Sequence, residues 1–141
     1  MAGQHWIGVA MSMIRFLARR QATCTDLLTC LYDLKPAESE IFYELVRKGP
    51  CSLDQLSMSV KRERTTVYRC LQRLTVAGLT YREVQGRQGR GYIHLYAAAD
   101  LATIKEASRV RVSELCKSLG RLVDTFESDV MSKVNSTKAG Q

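Results

Sequence analysis

A chain of 141 residues has room for one ordinary domain plus an extension, which excludes two full hydrophobic cores. With 45% hydrophobic and 25% charged residues it is globular rather than disordered. A formal charge of +7 points to an anionic partner, either nucleic acid or a membrane surface.

In chain order, the run Trp6–Leu17 is apolar and is closed by Arg19 and Arg20. A signal peptide carries its positive charges first, and this stretch is too short and interrupted to span a bilayer. Trp6, Ala10, Met13 and Leu17 share one helix face, so packing in a dimer is the expected role and lying on a membrane surface the alternative. A second helix is expected over Cys24–Leu34, carried by Leu27, Leu28 and Leu31.

The next helix is well punctuated. Pro36 stands at its first turn, followed by Glu38 and Glu40, where negative charge suits the positive end of the helix dipole. Ile41, Phe42, Leu45 and Val46 supply an apolar face, and Gly49-Pro50 stops it after Arg47 and Lys48. Ser52-x-x-Gln55 reads as a capping box opening a short helix to about Ser59, with Leu53, Leu56 and Val60 inward. After a tight turn at Val60–Arg62 another helix is expected over about 63–77, ended by Gly78. Two short helices joined by such a turn are the skeleton of a helix-turn-helix.

From Leu79 the periodicity becomes strand-like. Leu79–Val84 and Tyr92–Tyr96 flank Gln85-Gly86-Arg87-Gln88-Gly89-Arg90-Gly91, whose glycines permit a hairpin loop. A hairpin directly after a helix-turn-helix is a wing, here expected over 79–97. The spacing G-x-x-G-x-G with no following helix is not a dinucleotide fingerprint. From Asp100, a good N-cap, a long helix is expected to about Val130. Its stripe of Leu101, Ile104, Val112, Leu115, Leu119, Leu122, Phe126 and Val130, broken at Ser108, calls for a partner subunit, with folding back on the N-terminal helices as the alternative. Residues 135–141 read as a frayed tail.

Charge concentrates on the helix and hairpin. Between Lys61 and Tyr92 stand eight basic residues against two acidic ones, and seven of the eight are arginine, whose forked donors suit phosphates and guanine edges. Projected at about 100° per residue, Val67, Cys70, Leu71, Leu74 and Gly78 face inward, and Thr65, Arg69, Gln72 and Val76 face outward. Thr65, Tyr68, Arg69 and Gln72 are the candidates for base edges. Arg62, Arg64, Thr66 and Arg73 are the candidates for phosphates, and Arg82, Arg87 and Arg90 are the candidates on the wing. No role is evident for Val76.

Arg62-Glu63-Arg64-Thr65-Thr66-Val67-Tyr68-Arg69-Cys70-Leu71-Gln72-Arg73-Leu74, followed by Ala77-Gly78-Leu79, resembles the recognition-helix segment of archaeal TrmB-like winged-helix regulators. Leu34–Glu40 and Gly49-Pro50 sit where that family has its first helix and following turn, so the resemblance spans roughly Leu34 to Leu101. It implies a dimeric regulator of pseudo-palindromic promoter DNA, with Arg64, Thr65, Thr66, Tyr68 and Arg69 on the reading segment and Arg87 and Arg90 on the wing. Two departures stand out. No room remains for the sugar-binding domain of the longer members, so sugar sensing is not expected, and Glu63 occupies the N-cap where Ser or Asp would cap better.

The expected fold is mainly α with a small β-hairpin wing. N-terminal helices (1–33) are followed by a winged helix-turn-helix (34–98), a long dimerisation helix (99–134) and a tail (135–141). His5 and His94 accompany no nucleophile or metal-ligand pattern, so neither catalysis nor a cofactor is expected. Five cysteines (Cys24, Cys30, Cys51, Cys70, Cys116) form no C-x-x-C pair and read as reduced thiols of a cytoplasmic protein. Cys24, Cys30 and Cys116 are the better placed for redox chemistry. The competing functions are a protein-interaction adaptor of the transcription machinery and an architectural DNA protein without sequence preference.

Overall fold

The computed structural model describes Leu17, Ala18 and residues 21–140; Trp6, Ala10, Met13, His5, Arg19 and Arg20 lie outside the described residues. The chain forms two compact units, one through Ile104 and one from Lys105 onward.

In the first unit, helix α1 (Cys24–Tyr32) opens on a capping box. The Thr23 amide donates to Asp26 Oδ2 at 2.8 Å and the Asp26 amide to Thr23 Oγ1 at 3.4 Å. It stops two residues before the expected end because Asp33 turns into the left-handed region. Helix α2 (Pro36–Lys48) begins at Pro36, and the Glu38 carboxylate accepts from the Lys35 amide at 2.9 Å. Gly49, at φ 82, ends it in a conformation that disfavours a side chain. The Ser52–Gln55 capping box forms as the sequence predicts and opens α3 (Leu53–Val60). Lys61 takes a left-handed φ of 53°, and α4 (Arg64–Val76) starts three residues later. That single turn swings the chain so that α3 and α4 both press apolar faces on α2.

The core is built from Ile41, Phe42 and Leu45 of α2, Leu56 of α3, Val67, Cys70, Leu71 and Leu74 of α4, and Leu79. Burying each large side chain is worth roughly 1.5–3 kcal/mol. Val46, expected to join them, is exposed.

Strands β1 (Thr80–Arg87) and β2 (Gly91–Ala98) pair antiparallel from Thr80↔Ala98 to Arg87↔Gly91. Cys51 exchanges two backbone bonds with Tyr96, at 3.0 and 2.8 Å, tying the root of the hairpin to the turn before α3. The ladder runs further than the sequence suggests, leaving only Gln88, Gly89 and Arg90 as loop. Gly86 pairs with Tyr92, whose ring lies 3.9 Å from where a glycine Cβ would project and so covers the bare backbone. Gly89 and Gly91 supply the positive φ values, 72° and 79°, that close the turn.

Helix α5 (Leu101–Asp124) is capped by Asp100, which accepts from the Thr103 amide at 3.0 Å. Ile104 corrects an expectation: it is buried in the core of the first unit rather than left on a free stripe. Spacing alone assigns it to the stripe because it sits one turn before Ser108 on the same helix face. Within the second unit Leu115, Leu119, Leu122 and Phe126 are exposed. The expected single helix is interrupted at Thr125, whose hydroxyl bonds both the Arg121 carbonyl (3.2 Å) and Asp129 Oδ2 (2.8 Å). Helix α6 (Phe126–Ala139) then takes in most of the segment read as a tail. Ser136 and Thr137 satisfy their hydroxyls on the carbonyls four residues back, which removes their competition with the helix.

Candidate nucleic-acid interface

Every residue proposed for contact on α4 and the hairpin is solvent-exposed: Arg62, Arg64, Thr65, Thr66, Tyr68, Arg69, Gln72, Arg73, Arg82, Arg87 and Arg90. Val67, Cys70, Leu71 and Leu74 hold the opposite side of α4 in the core. Burial of that face fixes the helix about its axis, so Thr65, Arg69, Gln72 and Val76 form one outward row. Glu63 stands at the N-cap and its side chain makes no capping bond.

The arginines divide by their partners. Arg62 donates through Nη2 (2.8 Å) and Nε (3.2 Å) to one oxygen of Glu40. Arg73 meets Glu38 at 3.0 Å, and the Glu38 side chain is almost wholly buried. Arg64 lies 3.3 Å from Asp54, with both side chains largely exposed. An exposed pair of that kind is worth about 0–1 kcal/mol, so Arg64 exchanges Asp54 for another anion at little cost. Arg73 is different, because leaving Glu38 strands a buried carboxylate. The sequence places Arg73 among phosphate contacts; the geometry makes it first a brace between α4 and α2. Among the described residues Arg69, Arg82, Arg87 and Arg90 have no ion pair.

The counter-charges Glu38, Glu40 and Asp54 also belong to this surface, where the sequence assigns Glu38 and Glu40 to the helix dipole alone. Glu38 carried a readable signal: with Ile41, Phe42 and Leu45 it continues the apolar face of α2, where an unpaired charge would be costly.

Arg82 pairs across the ladder with Tyr96, and Arg87 closes β1 opposite Gly91. Five residues apart on a strand, the two fall on opposite faces of the ribbon. Arg90 occupies the turn, its amide bonded to the Arg87 carbonyl at 3.3 Å. Between the hairpin and α4 lies an open concavity of about 470 Å³, walled by Tyr68, Gln72 and Val76 on one side and Tyr81, Arg82 and Tyr96 on the other.

Burial raises the thiol pKa of Cys30, Cys51 and Cys70, which keeps them protonated and poorly nucleophilic. Among the described residues no group of His, Cys, Asp and Glu is arranged to hold a metal ion, and no helix is long and apolar enough to cross a membrane.

Three helices around one core, with a hairpin after the third and Arg64, Arg69 and Arg73 exposed on that helix, define a winged helix-turn-helix of the kind found in DNA-binding transcriptional regulators. The family described as sugar-specific transcriptional regulator TrmB matches residues 28–102, and the chain belongs to that family. Two uncharacterised proteins of Methanocaldococcus jannaschii are similar to it. One is 30% identical over 87 residues, 62% of this chain and 72% of that protein. The other is 24% identical over 111 residues, 79% and 84% respectively. A possible transcriptional regulator from Methanosarcina mazei Go1 shares the fold at a TM-score of 0.67 and 21% identity, covering 77% of this chain and 95% of that one. Family and fold are those of regulators rather than enzymes.

Proposed function

We propose that this protein is a sequence-specific regulator that binds a pseudo-palindromic promoter site on double-stranded DNA as a homodimer. Helix α4 enters the major groove and the hairpin reaches the adjacent minor groove. The observation that carries the reading is the outward row Thr65, Arg69 and Gln72, held rigidly by the buried face of α4 and flanked by Arg82, Arg87 and Arg90, which lack ion pairs among the described residues. Threonine, arginine and glutamine present donors and acceptors to base edges, whereas arginines on a hairpin tip suit a narrow groove or its phosphates. Thr66 and Arg64 stand at the first turn of α4, where the helix dipole adds to phosphate attraction.

Dimerisation is supported by the exposed stripe Val112, Leu115, Leu119, Leu122 and Phe126, with Leu101 exposed at the start of α5. A second copy covering that stripe places two α4 helices on successive half-sites. On this reading, residues 34–98 bind DNA and 99–134 pair the two copies.

Fluorescence anisotropy against the gene's own upstream DNA and a scrambled duplex, each at several salt concentrations, tests the proposal. Tighter binding to the upstream duplex, with both affinities falling as salt rises, is expected. Equal binding to both would make the protein architectural, and absence of binding at low salt would redirect the search to a protein partner.

A further inference from the structure

Val76 is the one apolar member of the outward row of α4, and it is 89% exposed, more than any other large apolar side chain among the described residues. Eleven residues after Thr65, it lies within about 20° of the same helix face and about 16 Å further along the axis. It also forms part of the wall of the concavity beside Tyr68, with Tyr81 and Arg82 on the hairpin side. A valine held in water at that position gains nothing from the fold, and the neighbouring wall is apolar too. An object that fits there carries apolar groups facing α4 and negative charge facing Arg82.

We infer that Val76 is a specificity-determining residue that packs on the 5-methyl group of a thymine in the major groove, while the sugar-phosphate strand carrying that base lies in the concavity against Tyr68, Tyr81 and Arg82. The thymine methyl is the only apolar group on a base edge in the major groove, so an apolar side chain in a reading row selects it. This rests on the DNA-reading function proposed above and adds a base preference to it. The valine reads near the C-terminal end of α4, and Thr65, Arg69 and Gln72 read the bases before it.

The test begins with selection of the full-length protein on a random duplex library. In the enriched duplex each thymine is then replaced, one at a time, by deoxyuridine, which lacks only the methyl. One position per half-site is expected to lose about three- to fivefold in affinity, the worth of one buried methyl. Val76→Ala should bind the thymine and deoxyuridine duplexes alike at that position. Its melting temperature, measured alongside, should not fall below the parent's because the side chain is 89% exposed and alanine suits a helix at least as well. An enriched duplex whose thymines all tolerate deoxyuridine would overturn the role of Val76 alone, as would an equal penalty in Val76→Ala. A selection that enriches no sequence would overturn the sequence-reading function itself and Val76's part with it.

Discussion

Glu38 on α2 and Arg73 on α4 meet at 3.0 Å although they stand far apart in the chain, and Glu38 is only 2% exposed. The same carboxyl group caps the start of α2 through the Lys35 amide. One buried side chain therefore fixes both the origin of α2 and the flank of α4. Glu40, two residues later, repeats the connection by holding Arg62, which leads into α4. The orientation of the outward row of α4 is set by carboxylates of α2 as well as by apolar packing.

Arg73→Ala should therefore act on stability more than on DNA. Removing the guanidinium leaves Glu38 buried with one amide donor, an expected loss of about 1–3 kcal/mol in urea denaturation. Glu38→Gln/Arg73→Ala should recover part of it, since a neutral amide tolerates the vacated site better. A loss in the double variant equal to the sum of the Glu38→Gln and Arg73→Ala losses would show that the pair contributes nothing beyond its separate side chains.

Glu44 provides a pH signature. Its carboxyl is held down to about 2, first by the Arg47 guanidinium and then by the Ser59 hydroxyl. A depressed carboxyl pKa adds stability that is fully present above its ordinary value of 4.5 and is lost as pH falls toward 2. Melting temperature should drop across that window in the parent protein, and Glu44→Gln should flatten part of the drop while leaving neutral pH less stable. Because the Arg47 side chain is largely exposed, added salt should shrink the difference.

Ser39 is buried on α2 and its hydroxyl has no hydrogen-bond partner among the described residues. Ser39→Ala removes an unsatisfied polar atom and improves helix propensity, so it should hold or raise stability by up to about 1 kcal/mol. A clear loss in thermal denaturation would reveal a partner for that hydroxyl.

On the proposed function, base reading belongs to α4 and phosphate contact to the hairpin. Arg69→Ala should cost about 1–3 kcal/mol on a selected duplex and relax discrimination at one base pair. Arg87→Ala and Arg90→Ala should weaken binding to all duplexes alike, each lowering the salt slope by about 1. Salt titrations by anisotropy on selected and scrambled duplexes distinguish these outcomes, and unchanged slopes would remove the hairpin from the interface.

Local signals were the legible ones. Pro36, the Ser52–Gln55 box, Gly49 and Asp100 each act within one helical turn, and each bounds an element as its chemistry requires. What escaped depends on partners distant in sequence. Gly86 reads as loop because nothing local reveals that Tyr92 covers it across the ladder. Arg62 and Arg73 read as free cations because their carboxylates sit on another helix. Ile104 has the spacing of the residues after it, and periodicity is silent about whether the covering surface belongs to the same chain. Val76 was visible on the outward face, but its meaning required the concavity beside it.

The stripe on α5 and α6 carries the last prediction. Leu119 is 52% exposed near the middle of Val112, Leu115, Leu122 and Phe126, outside the core of the first unit. An aspartate there inserts a charge into any apolar seam, and Leu119 is not part of the buried core cluster that holds α4. Leu119→Asp should therefore halve the sedimenting mass while the circular dichroism of the folded domain persists. DNA affinity should fall toward that of a single half-site, because two α4 helices would no longer be held at a fixed spacing. If the mass is unchanged and DNA binding intact, the stripe serves a contact other than self-association. If mass halves but affinity holds, one copy suffices to read the site, and the palindromic arrangement is wrong.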